Sequence, residues 1–173
     1  MDRGNDFLKA QIHAAGAQHH AFLKALEDHE AQADDPRYRD VCTRYIATMR
    51  DHQRALEDYQ SELGPPGAGV LKRVEFATTG AVKNLADVAR ETDFVRLTSD
   101  IEMSLKAEEA FRMFRDGGRA LKLRHLVEIG ETGQRDHDAY KRDAYRLAQQ
   151  MFVEHARTTD AGEAVKRSSE LRR

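Results

Sequence analysis

The sequence predicts an all-α protein, an antiparallel four-helix bundle with one long crossover connection that contains an extra helix. The 173 residues are 34% charged and 40% hydrophobic, with no Trp and only three Pro. That composition favours helix over sheet. Apolar residues recur every three or four positions through four long stretches, as on the buried face of an amphipathic helix. Short turn signals join these stretches in pairs, and a long segment joins the two pairs.

The first predicted hairpin runs from Asp6 to Gly64. Its first helix keeps one inward stripe, in which two histidines stand among apolar residues: Leu8, Ile12, Ala15, His19, Phe22, Leu26, His29 and Ala33. Asp35 followed by Pro36 is typical of an N-cap and a first helical residue, so the second helix is expected to begin there. Gly64 followed by two prolines predicts its end.

The second half of the chain is predicted to hold the crossover and a second hairpin. Residues 67–89 carry a helical pattern of their own. A connection of that length allows the next helix to begin at the opposite end of the bundle from where the second helix stopped. This third helix is expected to run from an N-cap at Thr92 to Phe114. The triplet at 116–118, Asp-Gly-Gly, predicts the following turn.

The fourth predicted helix has two glycines on its inner stripe, Gly130 and Gly133. Glycine costs about 1 kcal/mol in a helix. Its presence there indicates the close approach of a neighbouring backbone or a bulky side chain. After about Ala156 the sequence becomes polar and aperiodic. We therefore expect one domain at residues 1–157 and a flexible C-terminal tail at 158–173.

Charge and hydropathy exclude several classes of function. A net charge of −2 gives no basic surface of the kind that nucleic acid requires, so no nucleic-acid partner is expected. The chain has no run of about 20 apolar residues, and its first residues do not resemble a signal peptide, so no membrane association is expected. Cys42 is the single cysteine, which excludes an intrachain disulfide and fits a cytoplasmic protein.

Four residues are candidate ligands of a metal ion: His19, His52, Glu102 and Glu131. In an antiparallel hairpin, residues at equal distances from the turn face each other, and His19 and His52 meet this condition. The same rule, with the second turn at 116–118, pairs Glu102 with Glu131 within about one helical turn (~5 Å) of the histidines. Two imidazoles and two carboxylates in mid-bundle suit iron, zinc or manganese. A divalent ion would also offset the cost of burying the carboxylates.

Other interpretations of these residues stay open. The histidines could be ordinary core residues that hydrogen-bond to tyrosines, with both glutamates on the solvent face. A second candidate level, nearer the first turn, contains His29, Cys42 and His137, and three such side chains could ligate zinc. The chain contains no glycine-rich phosphate loop and no serine nucleophile motif, so no catalytic residue is predicted.

The order of hairpin, crossover and hairpin, together with three segments, resembles the ferritin-like superfamily and, within it, the bacterial YciE/YciF-type group. The segments are FLKAL at Phe22–Leu26, HQRALEDYQSELG at His52–Gly64 and DIEMSLKAEEAF at Asp100–Phe111. The similarity covers roughly residues 6 to 155. It implies a four-helix bundle and an association with bacterial stress response, and a homodimer is expected.

The resemblance also implies that the family's di-iron centre is lost or rebuilt in this chain. Such centres use a Glu from each of two helices and a Glu-x-x-His from each of the other two. No Glu-x-x-His occurs here, His19 stands at one glutamate position, and Ala47, Thr48 and Leu105 replace further carboxylates. Two functions therefore compete. The one we favour is a metal-free scaffold or partner-binding protein. The alternative is a metal-binding protein with a divergent His/Glu centre, of redox or oxidase type.

Overall fold

The computed structural model describes residues 3–65 and 92–158, and within these ranges every element is a helix. The four helices, in chain order, are α1 (Arg3–Gln32), α2 (Pro36–Leu63), α3 (Asp93–Leu121) and α4 (Arg124–Thr158). The prediction of an all-α protein is confirmed for these residues. The predicted connector helix at 67–89 and the predicted tail beyond Thr158 lie outside the described residues. None of the four helices has an apolar stretch long enough to cross a lipid bilayer.

The ends of α2 follow the local signals in the sequence. The Asp35 carboxylate accepts a hydrogen bond from the backbone N–H of Arg37 (2.8 Å) and so caps the helix that begins at Pro36. At the other end Gly64 has a φ of 73°, and its N–H donates to the carbonyl of Gln60 (3.0 Å). Both predicted boundaries of α2 are confirmed.

The predicted turn at Asp116-Gly117-Gly118 is wrong, because α3 continues to Leu121. Lys122, with a φ of 59°, takes the left-handed position that ends the helix. Gly118 serves a different purpose. A Cβ on it would lie 2.9 Å from Val127 Cγ2 and 3.0 Å from Val127 N, so the missing side chain lets α4 start close against α3. The turn therefore lies several residues later than predicted.

In the side-chain contacts between neighbouring helices, residue numbers rise along one helix as they fall along the other. Along α1 and α2, Gln60 Nε2 donates to the Ile12 carbonyl (3.2 Å), and Thr43 Oγ1 donates to Glu30 (3.1 Å). Further side-chain contacts join α2 to α4 through Arg44–Asp143 and Glu62–His125, and join α3 to α4 through Arg119–Glu131.

The first turn is tied to the beginning of α3. The Asp93 carboxylate accepts hydrogen bonds from the backbone N–H groups of Asp34 (2.8 Å) and Asp35 (2.6 Å). The beginnings of α2 and α3 therefore lie at the same end of the bundle. Since α2 is 28 residues long, its end at Leu63 lies about 40 Å from that level.

The apolar core consists of two clusters stacked along the bundle. One is centred on Phe22, Met49 and Tyr140, and the other on Ile12, Leu56 and Phe111. Between them, each helix contributes a buried polar residue, and these four are His19, His52, Ser104 and His137. This polar layer is the candidate functional site.

Candidate metal centre in the histidine layer

Three buried imidazoles, His19 on α1, His52 on α2 and His137 on α4, form a triangle that we call the histidine layer. The ring centres of His19 and His137 are 5.3 Å apart, and each lies 6.2 Å from that of His52. The predicted pairing of His19 with His52 is therefore present. His137 joins them because the true turn between α3 and α4 places it at this level.

Each ring of the histidine layer is held at one nitrogen by a neighbouring polar side chain. His19 Nδ1 donates to Gln53 Oε1 (3.0 Å), and His52 Nε2 donates to Asp136 Oδ2 (3.1 Å). His137 Nδ1 lies 2.9 Å from Ser104 Oγ. Gln53 is itself oriented, because its amide nitrogen donates to a glutamate, Glu57 (2.7 Å). The carbonyl oxygen of Gln53 can only accept, so His19 carries its proton on Nδ1 and a lone pair on Nε2.

Two nitrogens on the opposite sides of these rings are buried without a hydrogen-bond partner: His19 Nε2 and His137 Nε2. Burial lowers the pKa of His19 to about 4 and that of His137 well below its usual range. Burial also lowers the pKa of His52, against the opposing effect of Asp136. All three rings are therefore neutral at pH 7, which is the form in which histidine binds metals.

Aromatic rings enclose the layer. The ring centre of Phe111 lies 5.4–5.7 Å from all three imidazoles, and Phe22 lies 5.3 Å from His137. The ring of Phe111 packs directly against Gly133, where an added Cβ would lie 2.3 Å from the ring. The predicted reason for an inward glycine on this helix, close approach of a bulky side chain, is confirmed at this position.

Glu102 and Glu131, the two predicted carboxylate ligands, do not join the histidines. Both side chains are exposed, and Glu131 pairs with Arg119 (2.6 Å). The expectation that they face each other depended on a turn at 116–118, and the later turn at Lys122 moves each of them to another level. Within residues 3–65 and 92–158, no three His, Cys, Asp or Glu side chains are already positioned around a common metal position.

The three residues of the second predicted level, His29, Cys42 and His137, do not lie together either. His137 contacts His19, and His29 lies about 15 Å from His19 along α1 at 1.5 Å per residue. His29 Nδ1 instead lies 2.9 Å from Asp100 Oδ1. Cys42 is buried in the apolar cluster nearer the first turn.

Asp100 is the polar residue that sequence reasoning missed. It is fully buried, and Tyr38 donates to its Oδ2 (2.5 Å) while His29 contacts both of its oxygens. Burial raises the pKa of Asp100, and the hydrogen bonds from His29 and Tyr38 act in the opposite direction. A signal existed, since Asp93, Leu97, Asp100, Ser104, Ala107 and Phe111 recur at helical spacing and are all buried.

Comparison with protein-family models, curated proteins and solved structures finds no match to this chain. Any function of this chain is therefore inferred from the geometry of its own residues.

Proposed function

We propose that the protein binds one transition-metal ion at the histidine layer, in the core of a ferritin-like four-helix bundle. The observation that carries the proposal is the pair of buried, unpartnered nitrogens, His19 Nε2 and His137 Nε2, in adjacent rings. A buried polar atom without a partner costs about 1–3 kcal/mol. A bound metal ion would satisfy both nitrogens at once.

The outer contacts of the histidine layer support this proposal. Histidines that ligate metals almost always have their second nitrogen held by a carboxylate, carbonyl or similar group, which fixes the tautomer. Gln53 and Asp136 occupy that place for His19 and His52, and Ser104 Oγ contacts Nδ1 of His137. His52, with its proton on Nε2, would present Nδ1 to the ion.

The spacing of the rings is close to what such a site needs. Three imidazole nitrogens about 2.0–2.1 Å from one ion place their ring centres about 5–5.5 Å apart. The observed separations are 5.3, 6.2 and 6.2 Å. Binding would therefore require His52 to approach the other two rings by about 1 Å.

A di-iron centre does not fit these residues. Iron pairs of the ferritin-like type need several inward carboxylates, and Glu102 and Glu131 are exposed. The order of helix contacts favours the ferritin-like connection, while the donor set favours a single ion bound by nitrogen. We therefore do not assign ferroxidase or oxygenase activity. The association with stress response stays a prediction from the resemblance.

The test is the metal content of tag-free protein, measured by mass spectrometry as purified and after exposure to iron, zinc, manganese or copper salts. We expect about one equivalent of one metal in the native protein. The double variant His19→Leu/His52→Leu should lose it, and His125→Leu, which removes an exposed histidine, should retain it. Less than a tenth of an equivalent under every condition would refute the proposal.

A second candidate is a metal-free scaffold that binds a partner, with another copy of the chain as the expected partner. The absence of a preformed metal cluster in the described residues favours it, as does an exposed aromatic side chain, Phe152, beside the half-buried Phe94. Phe152 is 62% exposed and its ring lies 6.3 Å from that of Phe94. Light scattering should then find a dimer, and Phe152→Ser should yield monomers with unchanged helix content. Monomeric wild-type protein would refute this second candidate.

A further inference from the structure

Polar side chains from three helices meet at a second place in the core, and we call them the Asp100 cluster: His29 on α1, Tyr38 on α2 and Asp100 on α3. His29 Nδ1 lies 2.9 and 3.1 Å from the two oxygens of Asp100, and the Tyr38 hydroxyl donates to one of them (2.5 Å). All three residues are buried, and Asp100 is 0% exposed. The cluster therefore joins α3 to both helices of the first hairpin.

The uncharged titratable groups around Asp100 keep their protons near neutral pH. On α2, burial raises the pKa values of Tyr38 and Cys42. On α4, burial raises the pKa of Tyr140 well above its usual range, and the charge of Asp100 acts in the same direction. None of these three side chains exchanges a proton with solvent between pH 7 and 8.5, so they do not change the charge of the cluster.

The charged groups close to the cluster have partners of their own. Arg96, one turn before Asp100 on α3, donates to Asp93 (3.1 Å). Glu30, next to His29 on α1, accepts from Thr43 on α2 (3.1 Å). Among the residues that the structure describes, the side chains that hydrogen-bond to Asp100 are His29 and Tyr38. His29 is therefore the group whose positive charge can offset that of the Asp100 carboxylate.

This arrangement fixes the number of protons on the pair formed by His29 and Asp100. A buried carboxylate without a compensating positive charge is strongly unfavourable. The folded pair therefore holds one proton, either on His29 as an ion pair or on Asp100 as a neutral carboxyl. In an unfolded chain, aspartate loses its proton near about pH 3.9 and histidine near about pH 6.5. Above about pH 7 the unfolded pair holds none, so unfolding releases one proton and stability falls as the pH rises.

From this geometry we propose that the Asp100 cluster is a proton-dependent lock between the first hairpin and α3. The bound proton keeps His29, Tyr38 and Asp100 together. Its loss at alkaline pH leaves an uncompensated buried charge and loosens α3 from the first hairpin. The lock does not depend on the histidine layer, because His29 lies about 15 Å from His19 along α1 at 1.5 Å per residue.

Urea unfolding of the full-length protein between pH 7 and 8.5, followed by circular dichroism, tests the proton count. The double variant His29→Gln/Asp100→Asn keeps hydrogen-bonding amides but has no titratable group at either position. The equilibrium constant for unfolding should rise about tenfold more per pH unit in wild type than in this variant. Cys42 titrates in both proteins, so its effect cancels. Equal pH dependence in the two proteins would overturn the proposal.

The exposed pair of His125 and Glu62 provides the matched control. His125→Gln/Glu62→Gln makes the same chemical change at the surface and should keep the pH dependence of wild type. A loss of pH dependence in this control as large as in the core variant would also overturn the proposal. If the core double variant does not fold, Asp100→Asn alone replaces it, because its remaining neutral histidine holds no extra proton above pH 7.

Labelling of Cys42 by iodoacetamide without urea reports local opening, since this thiol lies beside Tyr38 in the same apolar cluster. Dividing the slow rate in native protein by the rate in urea-unfolded protein at the same pH removes the titration of the thiol. This ratio should rise between pH 7 and 8.5 in wild type and stay constant in the core double variant. A ratio that does not change with pH in wild type would overturn the loosening of α3.

Discussion

The substitution Gly130→Ala tests how closely α3 and α4 approach. A Cβ at Gly130 would lie 2.3 Å from Arg115 N, 2.6 Å from the Phe111 carbonyl oxygen and 2.7 Å from Arg115 Cα. These are backbone atoms, so the two helices would have to separate. Overpacking costs about 1–3 kcal/mol. Because backbone atoms cannot rotate away from the added methyl group, we take the upper end of that range, about 3 kcal/mol. From it we subtract the ~1 kcal/mol that Ala gains over Gly in a helix. The expected net loss is about 2 kcal/mol.

Gly117→Ala is the matched control, because it also replaces a helical glycine but no atom lies within 4 Å of its added Cβ. It should gain about 1 kcal/mol. For a chain of this size, 1 kcal/mol corresponds to about 2–4 °C in the midpoint of thermal unfolding. We therefore expect Gly130→Ala to lower the midpoint by about 4–8 °C and Gly117→Ala to raise it by about 2–4 °C, both measured by circular dichroism. Equal stabilisation by the two substitutions would refute the close contact between α3 and α4.

Three further predictions concern residues outside the histidine layer. Burial raises the pKa of the Cys42 thiol, so iodoacetamide should label it only after unfolding in urea, and rapid labelling of native protein would contradict its placement. Because the folded pKa of Asp100 is raised above its ordinary value of 3.8, the stability that this carboxyl contributes is lost as the pH rises through that folded pKa. The free energy of unfolding of Asp100→Asn in urea, relative to that of wild type, should therefore be higher at pH 7 than at pH 4. The reverse order would contradict a raised pKa for Asp100. Asp35→Ala removes the N-cap of α2 and should cost about 1 kcal/mol; unchanged urea stability would contradict the cap.

The first hairpin could be predicted from the sequence because its boundaries are set by local chemistry. Asp35 caps α2 through a hydrogen bond to a residue two positions away, and Gly64 takes a conformation that other residues avoid. With both ends correctly placed, the levels of His19 and His52 followed. Sequence spacing is reliable where the turn between two helices is short and marked by such residues.

The second hairpin could not be placed in the same way. Gly117 and Gly118 look like a turn, but α3 includes them, and the left-handed position falls on Lys122, which carries no turn signal. That shift moved Glu102 and Glu131 out of the predicted centre. Asp100 was missed for another reason. Hydrophobic periodicity gives no weight to a polar residue, even when its partners are in the core.

The most direct test of the metal site is a long-range ¹H–¹⁵N correlation spectrum of the histidine side chains at pH 7, recorded with and without Zn(II). The apo protein should show three neutral rings, with the proton on Nδ1 of His19 and on Nε2 of His52. Addition of one equivalent of Zn(II) should shift the resonances of His19 Nε2, His137 Nε2 and His52 Nδ1, and leave those of His125 and His29 unchanged. Charged rings in the apo protein, or three resonances that do not respond to the ion, would contradict the central claim.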